Sequence, residues 1–435
     1  MSSKNCLCKL RKFIVFSLLK ILWKIPMAVC NRLTRMTLRE LLWLVLIVFI
    51  LIVFWTYEQE EKYESPSNPV IVWWTDGFPG TSGTTFCPEK LKCEVFCDKS
   101  TRDSDAYLFY GSNINIEDLP LPRHANKILW GLYHEESPRN IEELLHEEML
   151  NLFNLSSTFS RHSDVPFPLQ YLNSAKDVTS TEYFVETSIK NKYLNDIAPI
   201  MYLQSDCETS TERDKYVKEL MKLIKVDSYG LCLNNKELPS KFTEDYLNNL
   251  DNQEFLRFVA RYKFVIAIEN GVCDDYITEK FWRAIRVGSV PIYFGSPSVK
   301  DWFPNTDSAV LINDYPTPEV LHNHIKLLLE NDTLYEGYLE HKTKQIITNK
   351  KLVEELRLRS YQLDALATVK KFECLVCKKL HQKSEKVSIV GKKHYNCPKP
   401  ISALTQSVNP RNDWVYSWQA AKERVKKLYK NITEQ

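Results

Sequence analysis

The sequence predicts an α/β protein: two doubly wound domains with parallel sheets, set behind an N-terminal membrane anchor. Three observations carry this expectation. Near-continuous apolar runs recur along residues 70–313, as strands buried on both faces require. Helical patterns lie between several of them, the alternation that builds parallel sheets. A long charge-free run precedes them all. Over the 435 residues the net charge is +2 and hydrophobic content 44%. That composition supports an ordinary core, and no basic field argues for nucleic acid.

The anchor comes first. Residues 1–40 carry nine Lys or Arg and a single acid, Glu40. Leu41 to Tyr57 then has no charge, and its 17 residues make a helix of about 25 Å. Acidic residues follow it. This asymmetry predicts a type II topology: a cytoplasmic tail at 1–40, a transmembrane signal-anchor at 41–57 and a short stem at 58–69. The rest would lie in the lumen, held to a Golgi or ER membrane by that single span. A cleaved signal peptide would start nearer the N-terminus and end on a small-x-small site, which is missing.

Two lumenal features agree. The glycosylation triplets at Asn154, Asn331 and Asn431 all follow the anchor, as do nine of the twelve cysteines. Nine is odd, so at least one is unpaired or pairs between chains. Cys87, Cys93 and Cys97 stand near the start of this part and Cys374, Cys377 and Cys397 near its end, which suggests a staple joining the ends. Cys374 and Cys377, with His381 and His394 nearby, also have zinc-site spacing. In an oxidising lumen disulfides are expected instead.

Strands are expected at 70–74, 106–111, 128–133, 199–204, 262–270, 290–295 and 308–313. Residues 214–224 place Val217, Leu220, Met221 and Ile224 on one helical stripe. Thr317 and Pro318 open a helix as cap and first residue. So many elements exceed one sheet. The expected division is an N-terminal acceptor-binding domain at 70–195, a C-terminal donor-binding domain at 196–370 and a Cys-containing extension at 371–435, with 189–198 as the link. Ligands would bind in the cleft, beyond the carboxyl ends of the strands.

Glu269 to Gly295 is the stretch richest in chemistry. Read as strand, turn, helix and strand, it puts Glu269 and Asn270 at a strand end and starts the helix near Asp275. A helix N-terminus with Lys280 beside it suits phosphate. The residues alone equally admit an amphipathic helix with Ile277, Phe281 and Ile285 turned inward.

The segment YKFVIAIENGVCDDYITEKFWRAIRVGSVPIYFGSP resembles the donor-binding signature of the alpha-1,3-fucosyltransferase family. The resemblance implies the GT-B arrangement of two Rossmann-like domains, GDP-fucose as donor and inversion at the sugar carbon. It carries donor binding onto Asn270, Tyr276, Glu279 and Lys280. QSDCETSTERDKYVKELMKLIKVDSYG resembles a second family segment and carries a phosphate-binding arginine onto Arg213. YHEESPRN and NLSSTFSRHSDVP resemble the acceptor-domain elements, and the implied general base is Glu136.

The chain departs from that pattern in places. Glu135 stands where an apolar residue is usual, and Gly271 where Ser is usual. Of two paired arginines only the second remains, as Arg161. These departures resemble a divergent branch for which protein O-fucosylation of small disulfide-rich domains of the EMI type is implied. Older descriptions of that branch imply N-acetylglucosamine of glycans as acceptor. With Arg213 and Lys280 on the diphosphate, no metal is expected to be required. Asp103-Ser-Asp105 and Asp274-Asp275 are the candidate metal pairs considered. A lumenal binding module without catalysis is the alternative, and a GT-B transferase for another nucleotide sugar is a second.

Overall fold

The computed structural model describes residues 43, 47, 50, 68–77, 82–100, 104–123, 127–243, 252–382 and 388–433. Trp43, Ile47 and Ile50 are helical and exposed; the rest of the expected anchor at 41–57 lies outside the described residues. Among the described residues no helix is long and apolar enough to cross a membrane. Asn68–Gln435 forms one compact unit.

That unit holds two sheets. The first contains β1 (Val70–Trp73), β2 (Gly83–Phe86), β3 (Lys92–Phe96), β4 (Ala106–Tyr110), β5 (Leu129–His134) and β6 (Leu155–Thr158), in the order β2-β3-β1-β4-β5-β6. β2 runs antiparallel to β3 and the other pairings are parallel. The second contains β7 (Ile200–Gln204), β8 (Val226–Gly230), β9 (Phe264–Ile268), β10 (Val290–Phe294) and β11 (Val310–Leu311), in the order β11-β10-β9-β7-β8. All of its pairings are parallel. Both parallel sets share one doubly wound order. In each, the chain reverses its direction of growth after the second strand, which opens a crevice at the strand ends.

Each expected strand is present, with its ends moved by a few residues. Four strands carried too little hydrophobicity to be read. β6 (LSST) is buried throughout yet mostly polar. The 163–165 return segment satisfies it: Ser156 N–H donates to Asp164 (2.8 Å) and Ser157 Oγ to the Val165 carbonyl (2.9 Å). β8 buries Asp227, which accepts from Tyr262 Oη and Lys236 Nζ, each at 2.8 Å. Such polar groups are tolerated inside because they are paired.

Five helices matter for the site: α1 (Arg213–Leu220), α2 (Glu279–Val287), α3 (Pro318–Glu330), α4 (Ala365–Gln382) and α5 (Asp413–Thr433). α3 starts as expected, with the Thr317 side chain capping and Pro318 in the first turn. The expected link at 189–198 is partly helix, since Thr187–Tyr193 is helical. Lys190 there is fully buried and donates to the carbonyls of Tyr262 (2.9 Å) and Gly288 (2.7 Å).

The extension at 371–435 belongs to both cores. Val369, Phe372 and Val376 of α4 and Val425 of α5 pack in the first core. Ala403, between them in sequence, packs in the second. Disulfides Cys87–Cys374 and Cys93–Cys377 tie α4 to the first sheet and form the expected end-to-end staple. Cys207–Cys232 and Cys273–Cys397 complete the pairs, and Cys97 is free and exposed. The zinc reading of Cys374 and Cys377 fails here, because both sulfurs are spent on disulfides, with Cys87 and Cys93 respectively.

Peptide mapping without reductant should recover these four links and alkylate Cys97. Replacing Cys87 and Cys374 together by Ser should cost about 2–5 kcal/mol in chemical denaturation, since their bond closes a long loop of the unfolded chain. A loss below about 1 kcal/mol would show the staple to be dispensable.

Candidate active site

The donor-side residues follow β7 and β9, the two strands that flank the reversal of the second sheet. After β9 the chain runs through Glu269–Ile277 to Thr278, whose side chain caps α2 by accepting from Lys280 N–H. The helix therefore starts at Glu279 and not near Asp275, which correcting observation has a local cause. Asp275 adopts a left-handed backbone (φ 65°) that cannot begin a helix. Phe281 and Ile285 do turn inward, as does Ile277 before the helix. The packed-helix reading and the ionic-site reading are thus both realised, on opposite faces of α2.

Glu269 is fully buried and accepts from Thr278 N–H and Thr278 Oγ, each at 2.8 Å. Burial pushes its pKa up to about 7. Lys280 Nζ lies 3.2 Å from Glu279 and 3.7 Å from Glu269. Burial works against its charge, but the two carboxylates outweigh that and hold its pKa above the usual lysine value. Burial likewise opposes ionisation of Glu279, and Lys280 and Arg283 overcome it, bringing its pKa to about 2. Arg213, the first residue of α1, is 2% exposed and donates to the Ile268 carbonyl (3.4 Å). It lies close enough to Lys280 to oppose that residue's charge.

The loop before α1 is clipped to the loop after β9. Ser210 Oγ donates to the Asn270 carbonyl and Thr211 Oγ to the Glu269 carbonyl, both at 2.7 Å. Asn270 Oδ1 is buried without a protein partner. A Cβ on Gly271 would come within 2.8 Å of Ser137 Oγ, so the two halves of the unit approach here as closely as glycine allows.

The acceptor side reaches the same cleft. Glu136 follows β5 and accepts a hydrogen bond from Tyr276 Oη at 3.0 Å. Glu135 accepts from Tyr110 Oη, and its second oxygen is buried without a partner. Burial raises its pKa. Tyr171 has no motif to mark it in the sequence. Burial, followed by the charges of Glu136, Glu279, Glu135 and Glu269, pushes its pKa well above the usual value. One phenol thus senses all four carboxylates, which places them around one cleft.

Arg161 and Asp275 join the halves. Asp275 is 1% exposed. It accepts from Arg161 N–H (2.9 Å) and Arg161 Nε (2.8 Å), with a further contact to Nη2. Ser298 Oγ (2.8 Å) and Trp302 Nε1 (3.0 Å) donate to the same carboxylate. Burial opposes ionisation, and Arg161 overrides it, holding the pKa below the usual range. Asp274 pairs with Asn396 on the C-terminal segment. Asp275 is therefore committed to a structural ion pair and free neither for a metal nor for a sugar. Asp105 accepts from Val70 N–H (2.7 Å), which ties the starts of β1 and β4 together.

Asn154 is 3% exposed, with its amide donating to the Ser388 carbonyl and its oxygen accepting from Arg123 and Trp130. A glycan has no room there, which removes Asn154 as an acceptor. Asn331 and Asn431 are exposed.

With this geometry in view, comparison with known proteins is direct. A family model described as "Glycosyltransferase family 10 (fucosyltransferase) C-term" matches residues 194–395, and one described as "Fucosyltransferase, N-terminal" matches residues 66–170. The chain belongs to glycosyltransferase family 10. Among its relatives in this fucosyltransferase family, "GDP-fucose protein O-fucosyltransferase 3" of Homo sapiens is 38% identical over 86% of this chain and 81% of its own length. "Alpha-(1,3)-fucosyltransferase B" of Drosophila melanogaster is 42% identical over 83% of this chain and 82% of its own. A crystal structure of an alpha1,3-fucosyltransferase with GDP-fucose aligns with 70% of this chain and 93% of its own, at 18% identity and a TM-score of 0.41.

Two outcomes follow from the ionic contacts. Replacing Arg161 by Ala strands a buried carboxylate and should cost about 3–5 kcal/mol in urea denaturation. A raised carboxyl pKa favours the folded state fully below the unfolded value, and that advantage is lost as pH rises through about 7. Glu269→Gln should therefore flatten the fall in melting temperature between pH 5 and 8. An unchanged slope would refute the raised pKa.

Proposed function

We propose that this family 10 enzyme is an inverting transferase of the GT-B type that moves L-fucose from GDP-fucose to a hydroxyl group on secretory-pathway glycoproteins. The observation that carries the reading is the meeting, across one cleft, of Glu136 from the first half with Tyr276, Glu279 and Lys280 from the second. In this reading Glu136 takes the proton of the acceptor hydroxyl as that oxygen attacks the anomeric carbon. The base and the departing GDP must stand on opposite faces of the sugar for inversion. Charge then grows on the diphosphate, where Arg213 and Lys280 stabilise it. Asn270 and Glu279 offer hydrogen-bond partners to the sugar nucleotide, and Tyr276 orients the base.

The acceptor is either Ser or Thr of a disulfide-rich protein domain or, through an alpha-1,3 bond, N-acetylglucosamine of a glycan. The human relative's name favours protein and the fly relative's name an alpha-(1,3) linkage. The basic tail, the charge-free run at 41–57 and the disulfides support a single-pass type II protein of the Golgi or ER with its catalytic part in the lumen. No metal cofactor is required, because two cations already serve the diphosphate.

Glu136→Gln should lower transfer about 10²–10⁴-fold while leaving GDP binding intact. Near-normal turnover in that variant would move the base to Glu135. Transfer should persist in EDTA, and its complete loss there would refute metal independence. Labelled GDP-fucose offered to glycans, peptides and folded disulfide-rich domains separates the acceptors. Intact GDP binding with no transfer to any of them would favour a binding module.

A further inference from the structure

Arg213 is an incompletely paired buried cation. Its Nε has no partner, and Nη2 donates to the Asp206 carbonyl. Among the described residues its ion-pair contact is with Asp206, at 3.7 Å. A guanidinium that is 2% exposed is costly without a close anion. Across the cleft, Arg139 stands three residues after Glu136 on the loop that follows β5. Its Nη2 lies 2.9 Å from the same Asp206 Oδ2, its Nη1 donates to the Glu208 carbonyl (3.2 Å) and its Cζ lies over the Trp414 ring, 5.0 Å from the centroid. Arg139 Nε is also buried without a partner. One carboxylate oxygen therefore serves two arginines from the two halves of the unit. The Asp206 side chain is 47% exposed, and the Cys207–Cys232 disulfide pins the backbone beside it. The carboxylate is free to swing into solvent while its loop stays in place.

We propose that Arg139 and Arg213 form a clamp for the diphosphate of the sugar-nucleotide donor, and that Asp206 is an internal anion which the diphosphate replaces. The proposal rests on the donor assigned above and adds Arg139 and Asp206 to its site. Planar guanidinium groups donate paired N–H bonds to phosphate oxygens, and the Trp414 ring beside Arg139 helps hold its guanidinium in place. Lys280 is near enough to Arg213 for their charges to oppose each other, which adds a further cation beside the pair. A structural role alone is a weaker account, because a half-exposed carboxylate contributes little as an ion-pair partner. It also leaves both Nε groups unexplained.

The test is equilibrium binding of GDP and of GMP to the purified full chain and to Arg139→Gln and Asp206→Asn variants. Arg139→Gln should weaken GDP about tenfold and GMP less than about twofold, the loss of one charge-assisted contact to the second phosphate. Asp206→Asn should tighten GDP at least about threefold, since it removes a competing anion. A gain of affinity cannot arise from misfolding. Arg139→Gln with unchanged GDP affinity, or with equal losses for both nucleotides, would overturn the clamp. Weaker GDP binding in Asp206→Asn would overturn the internal anion. Failure of the unaltered chain to bind GDP would instead sink the donor assignment itself.

Discussion

The Arg161–Asp275 pair is the contact on which the cleft depends. Asp275 sits in the donor loop with a left-handed backbone and almost no exposure. Its carboxylate is held from both halves, by Arg161 on one side and by Ser298 and Trp302 on the other. A buried carboxylate tolerates this only with its charge and lone pairs fully satisfied. Satisfying them fixes the path of residues 273–278, so that Tyr276, the next residue, lies against Phe159 and reaches Glu136. The position of the proposed base is thus set by a contact that does no chemistry.

The C-terminal segment reinforces the same junction. Tyr395 Oη shares a hydrogen bond with His134 Nδ1 at the end of β5 (2.7 Å), and Cys397 is bonded to Cys273 in the donor loop. Burial brings the His134 pKa to about 3, so the ring is neutral and acts as a fixed spacer. Residues 395–397 thereby connect the end of β5, two residues before Glu136, to the loop that follows β9. The disulfide adds to apolar packing across the same junction, since Cys273 and Tyr276 lie in the first core.

Within the cleft the balance of charge explains the divided behaviour of the carboxylates. Glu279 has Lys280 and Arg283 and stays ionised. Glu269 is deeper and shares Lys280, and burial lifts its pKa to about 7, so both of its forms are populated near neutral pH. Glu135 keeps one oxygen unpaired in the interior. Carboxyls in one cleft thus differ in acidity because burial raises Glu269 and Glu135 while the neighbouring cations lower Glu279.

Much of this was legible in the amino-acid order, because it is written in local patterns. Apolar runs announced seven strands, Thr317 and Pro318 announced a helix start, and the Glu269–Gly295 signature announced the family. The strands β6 and β8 stayed hidden, since their polar side chains are satisfied by segments that only the folded chain brings near. Asp275 was without a role for the same reason: Arg161 is its partner over a distance of 114 positions. Asn154 matched a glycosylation triplet, yet its burial is a property of the core around it. The sequence by itself determined which elements form and which chemical groups are supplied. The tertiary structure alone decided which of those groups meet, because burial and pairing across two sheets set their charge and access, and neither is encoded in neighbouring residues.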